Sequence, residues 1–382
     1  MFKPSFCPNP ECQFHTSRST HRNTTWYSKD GFYSSGLFGK TQRYKCKNCK
    51  HRFSKQTFSI NYHIKKNISY RSILDGLIST SSISDLARKE KVSPHTIINR
   101  ERRMASQAII AHSFLLRYIS TDEPIVCDGF QSVVQNFYFP NNINIAIGKN
   151  TQYFYSLTYA QIKRAGLLTD KQKSKKQMYE EMYHIDYKAI ENSFSELISI
   201  IINILKINNK HLLMLYTDKK PEYSAALKAN KQLHEFINSG NFHHIKISSK
   251  EPRTINNPLF AVNYMDRQFR KDLSEHVYRS ICFGRNVNNQ LERMVIYRFY
   301  HNYIKSFRVR KNKTLTHSDM AGIPSNIRSY YVKRFFNERL FQTQICMLPT
   351  DQKILNRSYP SPLIESPYAH RENSNIKESK IA

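Results

Sequence analysis

Two aspartates each stand at the end of an apolar run, and they are the residues best suited to bind a metal. Asp128 follows Ile125–Cys127, and Asp218 follows Leu212–Thr217. Both runs are typical of buried strands, where a carboxylate is costly unless it is solvated, paired or bound to a metal. If the two side chains meet, their repulsion favours a divalent cation between them, and such a site could activate the oxygen that attacks a phosphodiester.

A third acid is expected from the helix that follows the last predicted strand. Asp266 lies near the start of that helix, with Asn263 and Arg270 on the same face. An i,i+4 salt bridge to Arg270 would explain Asp266 without any metal. Glu292, on the next helix, is an alternative third acid, and Glu251, in a predicted loop, is a weaker one.

These acids are positioned by strands and helices that alternate in the second part of the chain. Apolar runs predict five strands, at 125–130, 142–147, 153–159, 212–217 and 243–247. Helical periodicity predicts helices at 176–208 and 222–237, and others beginning near Asn263 and Asn288. Hairpins can connect the first three strands, and the last two need helical crossovers. We therefore predict an α/β fold with a mixed five-stranded sheet flanked by helices, in which strands one and four can lie side by side.

Four of the seven cysteines lie in the first 50 residues, in two pairs with the spacing of metal ligands. Four residues separate Cys7 from Cys12, and two separate Cys46 from Cys49. Four thiolates complete a tetrahedral Zn²⁺ shell and leave no position for water, so we predict a structural metal that supplies folding energy. His15 is an alternative to Cys12 as a ligand.

Residues 84–103 have the pattern of two short helices joined by a turn. Ser84–Glu90 is amphipathic, Lys91 and Val92 form the turn, and Ser93-Pro94 supplies an N-cap and a first-turn proline. This pattern is typical of a helix-turn-helix, although an ordinary helical hairpin remains the alternative. The second helix would present four residues to the major groove or its phosphates: Thr96, Asn99, Arg100 and Arg103.

The charge of the chain favours nucleic acid as the partner. Lys and Arg number 59 against 29 Asp and Glu, which gives a net charge of +30. Near the acids, four cations could contact phosphates: Lys219, Lys220, Arg267 and Arg270. The other cysteines are scattered, and the longest apolar stretch is too short to span a bilayer. We expect a cytoplasmic, nucleoid-associated protein with no membrane partner.

The most specific local pattern lies in the last third of the chain. Asp266–Arg270 (DRQFR) is followed by Tyr278–Arg285 (YRSICFGR). Together they are similar to the acid-Arg-x-x-x-Arg and Arg-x-x-Cys-Phe-Ser-x-Ser pattern of one small group of bacterial insertion-sequence transposases of the DDE type, where the acid is normally Glu. Arg43–Cys49 (RYKCKNC) is similar to the zinc ribbon of that group. The resemblance covers residues 1 to about 345.

The resemblance implies a zinc ribbon, a helix-turn-helix and a catalytic domain of RNase H-like fold. It implies Asp128 and Asp218 as the first two ligands of Mg²⁺ or Mn²⁺, and Asp266 as the third. Because Asp reaches one methylene less far than Glu, Glu292 stays open as the third ligand. The implied divisions are a ribbon at 1–60, a helix-turn-helix at 61–118, a catalytic domain at 119–348 and a tail at 349–382 that composition predicts to be disordered.

The function that follows is metal-dependent DNA cleavage and strand transfer at the ends of an insertion sequence. Water would cut the element end, and the freed 3′-hydroxyl would then attack target DNA. The expected partners are the double-stranded DNA of the element ends and of the target, and at least one further copy of the chain, because two ends are joined. The alternatives are a sequence-specific DNA-binding regulator with an inactive RNase H-like domain and a nuclease of the same fold.

Overall fold

The structure is a computed structural model that describes residues 2–16, 26–277, 282–308 and 315–362. Part of the transposase-like pattern, residues 278–281, lies outside the described residues, as does the tail from 363 to 382. No helix in these ranges is long and apolar enough to cross a membrane.

The N-terminal module is a small antiparallel sheet with a core of its own. One short helix precedes three strands in the order 1-2-3: α1 (Gln13–Thr16), β1 (Tyr27–Ser35), β2 (Gly39–Cys46) and β3 (Arg52–Ser54). Its hydrophobic core cluster is small, and half of its buried members are cysteines: Cys7, Cys12, Trp26, Tyr44, Cys46 and Phe53. A core this small needs a further source of stability.

The module rests on a segment from the far end of the described chain. The two ring nitrogens of His15 lie 2.7 Å from the carbonyl oxygen of Cys7 and 2.5 Å from the hydroxyl of Thr343. The ring of Phe341 meets that of Phe6 edge-on, with centroids 5.1 Å apart. Both nitrogens of His15 are thus engaged, so the idea that His15 replaces Cys12 as a metal ligand is wrong.

Three helices follow the module: α2 (Tyr70–Leu77), α3 (Ile83–Lys89) and α4 (Pro94–Leu115). The predicted start of α4 is confirmed. The side chain of Ser93 accepts a hydrogen bond from the amide of Thr96, and Pro94 occupies the first turn.

Helix α4 is much longer than the sequence pattern indicated, because it continues to Leu115 instead of ending near Arg103. Its second half is mostly buried. A single hydrophobic core runs from Ile60 to Ile354. The predicted boundary near residue 118 is therefore not a boundary between cores, and helices α2 to α4 pack into the same core as the sheet.

The predicted mixed five-stranded sheet is confirmed. Its strands are β4 (Ile125–Val134), β5 (Asn136–Gly148), β6 (Phe154–Gln161), β7 (Leu213–Asp218) and β8 (Phe242–Ile247). They lie in the order β6-β5-β4-β7-β8. The pairs β4–β5 and β5–β6 are antiparallel, whereas β4–β7 and β7–β8 are parallel. The first strand is thus central and lies beside the fourth, as predicted.

The β4–β5 hairpin extends beyond the predicted strands. Asp128 consequently lies within β4 and not at its end, because β5 pairs with β4 as far as Val134. Asn141 belongs to the part of β5 that the hydropathy pattern missed; it is polar and buried, and its amide donates to the side-chain oxygen of Gln290 at 3.1 Å. Buried asparagines further along the strand are paired in the same way. The amide of Asn142 donates to Asn144 at 2.7 Å, and the amide of Asn144 donates to Ser193 at 2.7 Å.

The helices that follow β6 are α5 (Asp170–Met182), α6 (Ala189–Ile207), α7 (Pro221–Ala229), α8 (Lys231–Asn238), α9 (Phe260–Asp272), α10 (Val287–Tyr303), α11 (His317–Met320), α12 (Ser325–Asn337) and α13 (Pro349–Leu355). Two predicted helices, 176–208 and 222–237, are each a pair. In the second pair the side chain of Asn230 caps α8 and so separates it from α7.

The expectation of disorder from residue 349 onward is wrong for residues 349–362. They include α13, which is fastened to α10 by a buried ion pair. The guanidinium of Arg298 donates to both carboxylate oxygens of Asp351, at 2.9 and 2.8 Å. Both side chains are 0% exposed. The polar composition of the segment did not reveal this partner.

Arg298→Met should lower the free energy of unfolding by about 3–5 kcal/mol, because it leaves the carboxylate of Asp351 buried without a counter-charge. Urea denaturation followed by circular dichroism measures the loss. Lys353→Met is the control, since it removes an exposed ion pair to Glu196 from the same helix and should cost less than about 1 kcal/mol. The double variant Arg298→Met/Asp351→Leu should recover most of the loss, and an undiminished loss there would contradict the argument.

Candidate functional site

The four N-terminal cysteines form a compact cluster of sulfur atoms. The ligand atoms of Cys7, Cys12, Cys46 and Cys49 all lie within 4.8 Å of one another. The Sγ–Sγ distances are 3.6 Å for Cys7 and Cys49 and 3.7 Å for Cys12 and Cys46. A sulfur tetrahedron with zinc bonds of about 2.3 Å has edges of about 3.8 Å. The cluster therefore has the donors and the size to bind a metal ion, and it is compatible with Zn²⁺.

A tight turn at the end of β2 brings the second cysteine pair together. The amide of Lys50, which has a φ of 59°, donates to the carbonyl of Cys46 at 3.1 Å. Burial raises the pKa of Cys7. Burial alone would also raise the pKa of Cys49, but hydrogen bonds, led by the backbone of His51, lower it to about 7. Cys49 thus loses its proton more readily than Cys7, and the thiolate is the form that binds zinc.

Asp128 and Asp218 lie beside each other on the central pair of parallel strands. Val126 of β4 is opposite Tyr216 of β7, and continuing this register by two residues puts the two aspartates at the same level. Side chains at the same level of neighbouring strands project from the same face. Their side chains are 18% and 15% exposed, so solvent reaches both.

A lysine predicted to face DNA lies between the two aspartates instead. The Nζ of Lys220 is 3.2 Å from Oδ1 of Asp128 and 3.5 Å from Oδ2 of Asp218. The hydroxyl of Tyr223 also donates to Oδ1 of Asp128, at 3.2 Å. Burial alone would lower the pKa of Lys220, but the two carboxylates outweigh it and raise that pKa. Burial raises the pKa of Asp218, and Lys220 opposes this shift.

Asp266, on α9, is a third acid close to this pair. Its Oδ1 is shielded from solvent and has no hydrogen-bond partner among the described residues. Burial, followed by the charge of Asp128, raises the pKa of Asp266 to about 7, and Arg270 and Arg253 oppose the rise. No salt bridge within the described ranges joins Asp266 to Arg270. The guanidinium of Arg270 donates instead to the carbonyl of Gln131, at 3.3 Å.

The alternative third acids lie in other surroundings. Glu292 is buried and held by the guanidinium of Arg357 at 2.5 Å. Burial raises its pKa, and the charges that act on it are arginines and not the aspartates. Glu251 is exposed on the loop between β8 and α9. The surroundings of these acids therefore favour Asp266. Within the described parts of the chain, however, the four cysteines are the only group of three or more such side chains that is close enough to hold a metal ion as it stands.

Exposed cations lie close to the acids in sequence, and Arg270 also acts on the pKa of Asp266. Lys219, Arg267 and Arg270 are exposed, which is compatible with contacts to phosphates. Arg253 was not predicted from the sequence. It is exposed on the loop before α9, and its charge opposes the rise in the pKa of Asp266. Hydrophobic periodicity predicts helices and strands but not the path of a loop.

Tyr223 was also not predicted as a residue of the site, although a pattern in the sequence indicates its position. Pro221 occupies the first turn of α7 almost directly after Asp218. The first turn of this helix, which carries Tyr223, therefore lies next to the carboxylates.

The predicted DNA contact by Arg100 is wrong, and Arg103 is engaged elsewhere. Arg100 is 4% exposed and donates to the hydroxyl of Tyr70 at 3.3 Å and the carbonyl of Lys66 at 2.8 Å. Arg103 is half-buried and donates to the carbonyl of Ile60 at 2.9 Å. The two guanidinium groups thus hydrogen-bond α4 to the segment that precedes α2 and to the first residue of α2.

The position of each residue around the axis of α4 explains why Arg100 is buried while other residues of the same helix are exposed. Arg100 follows Ile97 by three residues and precedes Met104 by four, so it lies on the same buried stripe, and this spacing was readable in the sequence. Thr96 is half-buried beside the cap. The exposed face of the first turns carries His95, Asn99 and Arg102. Arg102 thus takes the place of Arg100 and Arg103 as a candidate contact.

Comparison of the chain with protein-family models gives no match. A search of curated proteins likewise finds none.

Proposed function

We propose that the chain is a DDE-type DNA transposase, which cuts at the ends of an insertion sequence and joins them to target DNA. The observation that carries the proposal is the adjacency of Asp128 and Asp218 on parallel strands, with Asp266 within range of the charge of Asp128. A group of acids at the surface of a chain with a net charge of +30 suits a site that binds a cation and a polyanion together.

The sheet and its helices are proposed to be an RNase H-like domain. Three antiparallel strands come first and two parallel strands follow through helical crossovers, with the first strand in the centre. This order supports the fold that the transposase resemblance implies, because it sets the first two acids side by side.

Mg²⁺ or Mn²⁺ would be held by Asp128, Asp218 and Asp266. The donor set fits, because carboxylate oxygens are the ligands these ions prefer and the shielded Oδ1 of Asp266 lacks a partner among the described residues. When bound, the metal would activate the attacking oxygen and stabilise the leaving oxygen of a phosphodiester.

The residues of the chain itself would bind and orient the DNA. Lys219, Arg267 and Arg270 would hold phosphates beside the acids. The exposed face of α4 and the cysteine module, as a zinc ribbon, would recognise the element ends. Because two ends are brought together, the protein would act as a homodimer or larger assembly on DNA, in the cytoplasm on the nucleoid.

Incubation of the full-length protein with DNA from the ends of its element, in Mg²⁺ or Mn²⁺, tests the proposal. Cleavage at the ends followed by joining to a second DNA supports a transposase. Cleavage without joining indicates a nuclease of the same fold. Sequence-specific binding with no cleavage indicates a regulator. One observation favours this last alternative, namely that Lys220 already offsets part of the negative charge of the acid pair.

Arg102→Ala should weaken binding to end-containing DNA by about fivefold to tenfold and reduce the slope of log affinity against log salt by about 1, because one phosphate contact is lost. Mobility-shift titrations at several salt concentrations measure both quantities. Arg117→Ala is the matched control, since Arg117 is also exposed and lies just after the opposite end of α4. Equal weakening in the two variants would indicate a general charge effect and contradict the proposed docking face.

A further inference from the structure

Lys220 occupies the space between the two aspartates of the acid pair. Its ammonium nitrogen is 3.2 Å from Asp128 Oδ1, 3.5 Å from Asp218 Oδ2 and 3.3 Å from the hydroxyl of Tyr223. Oxygen atoms of this kind are the donors that Mg²⁺ and Mn²⁺ use. An ammonium ion and a divalent cation cannot share this space, because at so short a separation they repel strongly.

The surroundings of Lys220 combine a fixed main chain with a movable side chain. The amide of Lys220 donates to Asp218 Oδ1 at 3.1 Å, and Pro221 starts α7 directly afterwards. Tyr223 is held by stacking on Phe194, with ring centroids 4.1 Å apart. The side chain of Lys220, by contrast, is 33% exposed and has a flexible four-carbon stem. The ammonium group can therefore leave while the acids keep their places.

We infer that Lys220 is an internal counter-ion. Its ammonium group occupies the metal position in the metal-free protein, and the metal displaces it on binding. In the metal-free protein its ammonium group offsets the repulsion between Asp128 and Asp218. When a divalent cation binds, the side chain turns outward to the surface where Lys219 is exposed and adds a positive charge there. Because the added charge favours DNA, metal binding then strengthens DNA binding, and DNA binding strengthens metal binding by the same factor. The inference rests on the proposed function, because it needs a metal at these acids.

Mn²⁺ titration of the zinc-loaded full-length chain, by isothermal calorimetry, tests the inference. Lys220→Met removes the charge and keeps most of the stem, so the affinity for Mn²⁺ should rise by about tenfold or more. Lys219→Met is the control, because it removes the same charge from the exposed neighbour, and it should change the affinity by less than about threefold.

The outcomes separate the inference from the proposed function. The inference is supported if Lys220→Met binds Mn²⁺ more tightly than Lys219→Met does, or if Mn²⁺ binding is detected only in Lys220→Met. Equal affinities in the two variants overturn the inference and leave the metal site intact. Failure of the wild type and of both variants to bind Mn²⁺ removes the metal site, and with it both the inference and the proposed function.

A measurement on the wild-type protein keeps the inference testable if Lys220→Met does not fold. Acetylation of lysine amines by a water-soluble active ester, followed by mass spectrometry, reports how free each ammonium group is. Saturating Mn²⁺ should raise the acetylation rate of Lys220 by about threefold or more relative to Lys219, because the amine leaves its carboxylate partners. An unchanged ratio, with Mn²⁺ bound by calorimetry, overturns the inference.

Discussion

Asp128→Asn and Asp218→Asn should each reduce DNA cleavage and joining by about a thousandfold or more, since each removes a carboxylate that would hold the metal at the reacting phosphodiester. Asn has nearly the same shape as Asp, and both positions belong to paired strands, so the sheet should persist. Single-turnover assays on end-containing DNA in Mg²⁺ measure the loss. Mobility shifts in the absence of metal should show that DNA binding is retained.

The third acid is assigned by comparing Asp266→Asn with Glu292→Gln. Asp266→Asn should be as inactive as the first two variants. Glu292→Gln should keep its activity to within about threefold and lose stability instead, because Glu292 is bound by Arg357 away from the aspartates. A folded but inactive Glu292→Gln beside an active Asp266→Asn would transfer the assignment. Full activity of Asp128→Asn or Asp218→Asn would refute the catalytic site altogether.

Removal of the metal from the cysteine cluster should unfold the N-terminal module and abolish specific DNA binding. Structural Zn²⁺ contributes roughly 10–16 kcal/mol of apparent binding free energy in small domains. Trp26, the only tryptophan of the chain, reports the event directly, because it is 3% exposed and stacks on Phe53 with ring centroids 5.5 Å apart. A chelator or Cys46→Ser should therefore shift the tryptophan emission to longer wavelength.

The control for this prediction is Cys346→Ser, which replaces an exposed cysteine outside the cluster. Cys346→Ser should retain one Zn²⁺ per chain by elemental analysis, whereas Cys46→Ser should retain none. The far-ultraviolet helical signal should be largely preserved in both, because only the four-residue α1 belongs to the module and the long helices pack in the other core. A native tryptophan spectrum in metal-free protein would contradict the structural role of the metal.

The sequence was most informative where burial leaves a simple pattern. The apolar runs before Asp128 and Asp218 predicted two buried strands, and the alternation of elements predicted that these strands are neighbours. The full length of β4 and β5 could not be predicted in this way. Asn141, which precedes the predicted second strand, is buried but polar, and its hydrogen-bond partner Gln290 is brought to it only by the tertiary fold.

The side chains of the candidate site were predicted less well than the strands that carry them. Composition identifies Lys220 as a cation, but only the turn between β7 and α7 decides that it points to the carboxylates and not to solvent. Arg100 is a similar case, because its charge suggested DNA whereas its position on the buried stripe of α4 assigns it to the interior. A basic residue therefore indicates a nucleic-acid contact only after its helix face is known.

The contact between His15 and Thr343 joins residues that are 328 positions apart, and this affects how the protein is made. At about 5–20 residues per second, a ribosome needs roughly 16 to 66 s to travel that distance. For most of that interval the complete cysteine module lacks the segment against which it finally packs. A chain that ended before Phe341 would lack the contacts of His15 with Thr343 and of Phe6 with Phe341, so its cysteine module would be held less firmly against the rest of the protein.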